Sequence, residues 1–245
     1  MVPRHAHQVK RVAKASSVSL AGMSTPATTA PLLGEPLPVE LMNTIWAERG
    51  HLHDALESPE ESVAWLRSVV AREDQRSDDL ATRLKQATER DRSRTHRDLR
   101  SLRDAARRLA ARLTDDHRTS GQVPIDTATA LTTVNGYAAN APTWPALVWP
   151  ETGNPRETRL SDADAGSVCV AELARSTVAL LAAESDGSLL ACQAPGCVLY
   201  FVRRHPRREW CSTACGNRAR QARHQRRHRA HSDTRHDTQS EKRPR

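Results

Sequence analysis

Four cysteines near the C-terminal end constrain this chain more than any other feature. They are spaced Cys192-x4-Cys197-x13-Cys211-x3-Cys215. Two close pairs joined by a linker of thirteen residues can bring four thiolates to one point, the tetrahedral shell that Zn²⁺ accepts. Ala194-Pro195-Gly196 supplies a tight backbone inside the first pair. Ser212 and Thr213 open a helix around the second pair, where free amide N–H groups and the helix dipole favour thiolates. Between the pairs, residues 198–202 (VLYFV) read as a strand, 203–208 as a loop holding Pro206, and 209–211 as a returning strand. A knuckle, a hairpin and a helix bearing the last ligands make a treble-clef-like finger. Four sulfurs leave no open coordination position, so the expected cofactor is one structural Zn²⁺. Cys169, the fifth cysteine, lies on an apolar helical face and reads as a small buried hydrophobe.

Charge is segregated along the chain. From Cys192 to the end, thirteen Arg and one Lys face four acidic residues, a net +10; residues 1–33 carry +4 and no acid. The chain's total of +8 therefore leaves −6 on residues 34–191. No acid occurs between Glu209 and Asp233. An ordinary solvated surface mixes both signs, so this segregation points to a polyanionic partner. On a wheel of about 100° per residue, Ala219, Ala222 and Arg226 lie on the side of Cys215. Asn217, Arg220, Gln221, His224 and Arg227 lie opposite, and Arg218 and Arg223 flank them. These side chains grip phosphates and read base edges, and a helix of about 17 residues is long enough for a major groove. Arg203, Arg204, Arg207 and Arg208 in the loop add further phosphate contacts to this DNA-binding face.

The remainder reads as mainly α. Only eight of 245 residues are aromatic, which argues against a large sandwich or barrel. Residues 34–46 (GEPLPVELMNTIW) fit either a short strand or a helix start. Ser58-Pro59-Glu60-Glu61 has the cap, proline and acids of a helix start, with Val63, Leu66 and Val70 following on one face. Residues 71–95 read as a solvated helix with a thin stripe of Leu80, Leu84 and Ala87, and 96–115 as a strongly amphipathic one. Asp126 caps a further helix that ends before Pro142. Residues 144–149 and 156–160 flank a turn-rich segment and form the body's expected hairpin. Asp162 or Asp164 then precedes a core helix through Val170, Leu173, Val178 and Leu181. The expected organisation is a disordered basic leader (1–33), a helical domain (34–188), the finger (189–231) and a disordered tail (232–245), with Met23 an alternative start.

No stretch reaches the roughly 18 uninterrupted apolar residues of a bilayer span. Residues 168–183 come nearest and contain Glu172 and Arg175. The leader lacks the apolar core of a secretory signal. Clustered cysteines suit a reducing compartment, so the expected location is cytoplasmic. The body offers no nucleophile with a paired base, no phosphate loop and no metal triad, so no enzymatic activity is expected.

At Trp210-Cys211-Ser212-x-x-Cys215-Gly216-Asn217-Arg218 the sequence resembles the CGNR zinc-finger family. Members couple this finger to a helical ABATE domain and are described as stress-induced transcriptional regulators of bacteria. Gly34-Glu35-Pro36-Leu37, Asn43-Thr44, Asp54, Leu56, Ala64-Trp65-Leu66 and residues 131–135 carry the likeness of the body, which extends over about residues 34–231. The resemblance implies Cys192, Cys197, Cys211 and Cys215 as zinc ligands, and Asn217 and Arg218 as the other signature positions. This sequence departs from the family after Phe201, where Val202-Arg203-Arg204-His205-Pro206 replaces an acidic, Ser-containing segment. Asn43-Thr44 reads as a polar cap or turn rather than a ligand site. The expected function is a cytoplasmic DNA-binding transcriptional regulator with a sensing or dimerising body, a homodimer supplying the specificity that one finger lacks. The alternative is an RNA-binding or protein-interaction adaptor; a ligand for the body is not specified by the sequence.

Overall fold

The computed structural model describes residues 32–70, 78–183 and 187–240. The leader, apart from its last two residues, lies outside them, as do the first residues of the expected helix over 71–95. Thirteen elements follow in order: α1 (Leu37–Met42), β1 (Ile45–Glu48), β2 (His51–Asp54), α2 (Pro59–Val70), α3 (Asp78–Lys85), α4 (Glu89–Leu113), α5 (Thr127–Ala139), β3 (Trp144–Val148), β4 (Arg156–Leu160), α6 (Ala165–Ala183), β5 (Leu189–Ala191), β6 (Tyr200–Val202) and α7 (Thr213–Ser240). The fold class is mainly α with small two-stranded sheets.

Local chemistry sets most helix starts. Ser58 Oγ accepts from the amide of Glu61 while Glu61 Oε2 accepts from the amide of Ser58, a reciprocal capping box that begins α2. Asp126 caps α5 through the amide of Thr129. Asp164 rather than Asp162 caps α6 through Ser167. Thr88 accepts from the amide of Asp91 and starts a new helix, so the charged stretch is broken at residues 86–88 and α4 begins seven residues before the expected 96.

α2, α4, α5 and α6 pack together around Leu66, Leu99, Leu102, Val134 and Leu173. α6 has the length and apolar composition to cross a bilayer, yet its Val170, Leu173 and Ala174 are buried in this core. Cys169 lies there too; burial pushes its thiol up to about 12, so it stays neutral and packs as an apolar group.

The expected hairpin forms, with Trp144 opposite Leu160 and Val148 opposite Arg156. It is not the body's only sheet. β1 and β2 pair across Arg49-Gly50, both at positive φ, the geometry of a tight hairpin turn. In the finger, β6 pairs with β5, upstream of the first cysteine, and residues 209–211, expected as a returning strand, form none, with a bend over 210–212. The ladder continues from Cys192 N to Leu199 O and from Arg203 N to Ser188 O, so the edge of β6 that faces β5 is already satisfied. α7 runs past residue 231 to Ser240, through a stretch without Pro or Gly.

Close approach of α4 and α6 depends on Gly166, where an added Cβ would collide with Thr95 Oγ1 and lie 3.1 Å from Thr95 Cβ. Gly166→Ala should therefore lower stability by about 2 kcal/mol in urea unfolding. Adding Thr95→Ala should recover part of that loss, because it removes the colliding oxygen.

Candidate metal centre

Cys192 and Cys197 flank a knuckle in which Cys197 N donates to Ala194 O and Gly196 adopts φ +70°. Cys211 precedes α7 and Cys215 sits in its first turn, where the amide of Cys215 donates to Ser212 Oγ. All four side chains are buried and their sulfurs lie within 4.8 Å of one another. The Cys197–Cys211 and Cys211–Cys215 separations are 3.8 and 3.4 Å. Zn–S bonds near 2.3 Å in a tetrahedron place sulfurs about 3.8 Å apart, so the donor set fits one Zn²⁺. Proton sharing within the cluster is uneven. Hydrogen bonds from Cys197 and Cys211 draw the Cys192 thiol down, and bonding to Cys192 pushes Cys197 and Cys211 up. Arg218 Nη2 donates to Cys215 Sγ at 3.0 Å, placing a cation beside a shell that carries −2 once zinc is bound. Gly216 makes room for the Trp210 indole, whose Cδ1 would lie 3.1 Å from an added Cβ.

The helical body grips this centre from the other side. Arg118 Nη1 donates to the carbonyls of both Cys192 and Cys197 at 2.8 Å, and its Nε and Nη2 engage the two oxygens of Asp116 at 2.7 Å. Tyr200 O–H donates to Asp116 at 2.8 Å. Asn43 pairs with the backbone of Tyr200 as a strand would, its Nδ2 donating to Tyr200 O and its Oδ1 accepting from Tyr200 N, both at 2.9 Å. The buried Arg107 guanidinium spans the carbonyls of Met42, Gly121 and Val198. Burial pushes Arg107 down to about 10, so it remains charged at neutral pH. Trp46 packs into the cysteine cluster with Phe201.

The residues of the expected DNA-binding face divide. Arg203, Arg204, Arg207, Asn217, Arg218, Arg220, Gln221, Arg223, His224 and Arg227 are exposed. On α7, Asn217 accepts from Arg220 at 2.6 Å and His224 lies 3.1 Å from His228. Arg208 turns inward instead: its guanidinium holds Glu35 at 2.5 Å and the carbonyls of Val202 and Cys211, which fixes it at the junction with the body. Ala219 is buried and Ala222 half-buried, but Arg226, expected on the same inner face, is exposed because α7 has by then left the finger. Glu35, Arg107, Asp116 and Arg118 carry no local signal of this role. Only the quoted likeness at Glu35 and Asn43-Thr44 marked two of the docking positions.

A family described as "Putative stress-induced transcription regulator", ABATE, matches residues 35–184, and the CGNR zinc finger matches residues 189–228. The chain belongs to the ABATE family. Its ABATE body and CGNR finger meet at the metal centre just described, and the finger holds one structural zinc through Cys192, Cys197, Cys211 and Cys215. A search of curated proteins returned no match.

Metal analysis should find one zinc per chain, and a strong chelator should red-shift tryptophan emission as Trp46 and Trp210 lose their packing against the cysteines. Burial raises the Asp116 carboxyl, but bonds from Arg118 and Tyr200 outweigh this and leave it below the ordinary 3.8. Its contribution is therefore present above about pH 4 and lost as pH falls through the depressed value. Asp116→Asn should cost roughly 3 kcal/mol at neutral pH. In melts between pH 7 and pH 3, the gap to the parent protein should close below about pH 4.

Proposed function

We propose that this protein is a DNA-binding transcriptional regulator whose zinc-stapled finger presents α7 to duplex DNA. The observation that carries the reading is the outer face of α7 from Asn217 to His228, which is exposed and contains no acid while Cys215 and Ala219 are buried at the base of the helix. Basic side chains on a rigid helix neutralise phosphates, and Asn217 and Gln221 add groups that pair with adenine edges. Arg203, Arg204 and Arg207 extend the phosphate track, whereas Arg208 serves the junction. The zinc shell is closed by four sulfurs, so the ion shapes the finger rather than acting on a substrate. One finger reads few bases, and pairing of two copies supplies the remaining specificity. Reduced, metal-bound cysteines accord with a cytoplasmic location.

Fluorescence anisotropy on a labelled duplex tests this. Affinity should fall with a log–log salt slope of about −0.9 per phosphate contacted, and Arg220→Ala or Arg227→Ala should each make the slope shallower by about 1. Arg208→Ala should lower the melting temperature and leave the slope unchanged. Binding that is flat in salt, or that structured RNA abolishes at lower concentration than duplex DNA does, would overturn the DNA reading.

A further inference from the structure

The body contains a cavity of about 710 Å³, lined by residues between Ile45 and Val123, that the zinc centre does not use. Its size lies within the range of small-molecule sites. One wall is apolar, with Leu52 and Val123 beside Trp46, on which His53 stacks at 5.1 Å. The polar walls carry four carboxylates, Asp54, Glu57, Glu61 and Asp104, against two guanidinium groups, Arg100 and Arg103. Arg103 is fully buried and already spent, holding Asp54 at 2.5 Å and Asp104 at 3.0 Å. Arg100 approaches Asp54 only to 3.9 Å. Glu57 is exposed at the rim and has no ion-pair partner among the described residues. The cavity therefore keeps an excess of two negative charges beside a flat aromatic wall. Such a surface selects a positively charged group joined to an apolar body, since the cation meets the unpaired Glu57 carboxylate and the ring system meets Trp46 and His53.

The position of the cavity gives occupancy a route to the finger. Trp46 lines it and also packs among the zinc-binding cysteines. Gln122 lines it and donates to the Tyr200 hydroxyl at 2.8 Å. The carbonyl of Gly121, another wall residue, accepts from Arg107, which in turn holds Val198. A molecule seated in the cavity thus touches Trp46, which packs on the cysteines, and Gln122 and Gly121, which reach the finger through Tyr200 and Arg107. We propose that this cavity is an effector site for a small organic amine with an apolar or aromatic group, and that occupancy tightens the docking of the finger through Trp46 and Gln122. The binding half stands apart from the DNA reading; only an effect on duplex affinity rests on it.

The test uses the zinc-loaded full chain and calorimetric titration with primary amines graded from butylamine to tryptamine, with indole-3-acetate as the charge-reversed control. Saturable 1:1 binding of at least one aromatic amine, tenfold or more tighter than the carboxylate, is expected. Glu57→Lys, at an exposed position, should weaken it at least tenfold with zinc content and melting temperature unchanged. A bound amine should also slow zinc transfer to a chromogenic chelator severalfold. Absence of binding across the series, equal or better binding of indole-3-acetate, or an unaffected Glu57→Lys variant would overturn the site. Binding with an unchanged zinc-transfer rate would overturn the coupling. Neither readout uses DNA, so failure here and failure of the proposed function are separable.

Discussion

Arg118 is the fork on which the assembly of this protein turns. One side of its guanidinium holds the carbonyls of two zinc-binding cysteines, and the other is locked to Asp116. A finger of about 40 residues cannot bury enough apolar surface to hold itself together, so a metal ordinarily takes over part of the task. Here the body supplies the rest. Apolar side chains of α1 and α4 share a cluster with Leu189, Ala191 and Tyr200, and at the same seam Asn43 bonds the Tyr200 backbone, Arg107 the Met42 carbonyl and Tyr200 the Asp116 carboxylate. Charges buried in this way stabilise only when every partner is present. The finger is therefore continuous with the body, and zinc, Asp116 and Arg118 act as one support.

This arrangement sorts the arginines. Arg103, Arg107, Arg118 and Arg208 face inward and are consumed by carboxylates and carbonyls. Arg220, Arg223, Arg226 and Arg227 of α7 and the arginines of the loop at residues 203–207 remain in solvent. The inward set holds the base of α7 in place, and the outward set has a defined direction because of it. Binding at a helix so anchored loses less freedom than binding at a loose basic tail.

Much of the plan was legible along the chain. Cysteine spacing located the zinc site, since ligation needs only four sulfurs within reach of one ion. Helix periodicity and capping residues located α2, α5 and α6, because caps and apolar stripes act within a turn or two. The β1–β2 hairpin leaves little trace in the sequence: its strands are four residues long, and the Arg49-Gly50 turn lacks the usual Asn or Asp before glycine. The partner of β6 is hidden for a related reason, because a three-residue strand carries too little pattern to choose between two neighbours. Composition cannot tell Arg208 from its neighbours Arg203, Arg204 and Arg207, because nothing within a turn of it marks the distant Glu35 as its partner.

The sequence by itself determined a mainly helical body, a four-cysteine zinc finger and an acid-free basic helix, each of which follows from spacing and charge over short distances. Tertiary structure alone decided that Asn43 would complete the edge of Tyr200, that Asp116 and Arg118 would close on the zinc knuckle, and that Glu35 would claim Arg208. These contacts join residues 74 to 173 positions apart. No local periodicity encodes such pairings; they are fixed when buried polar groups, removed from water, must find their partners across the packed interface.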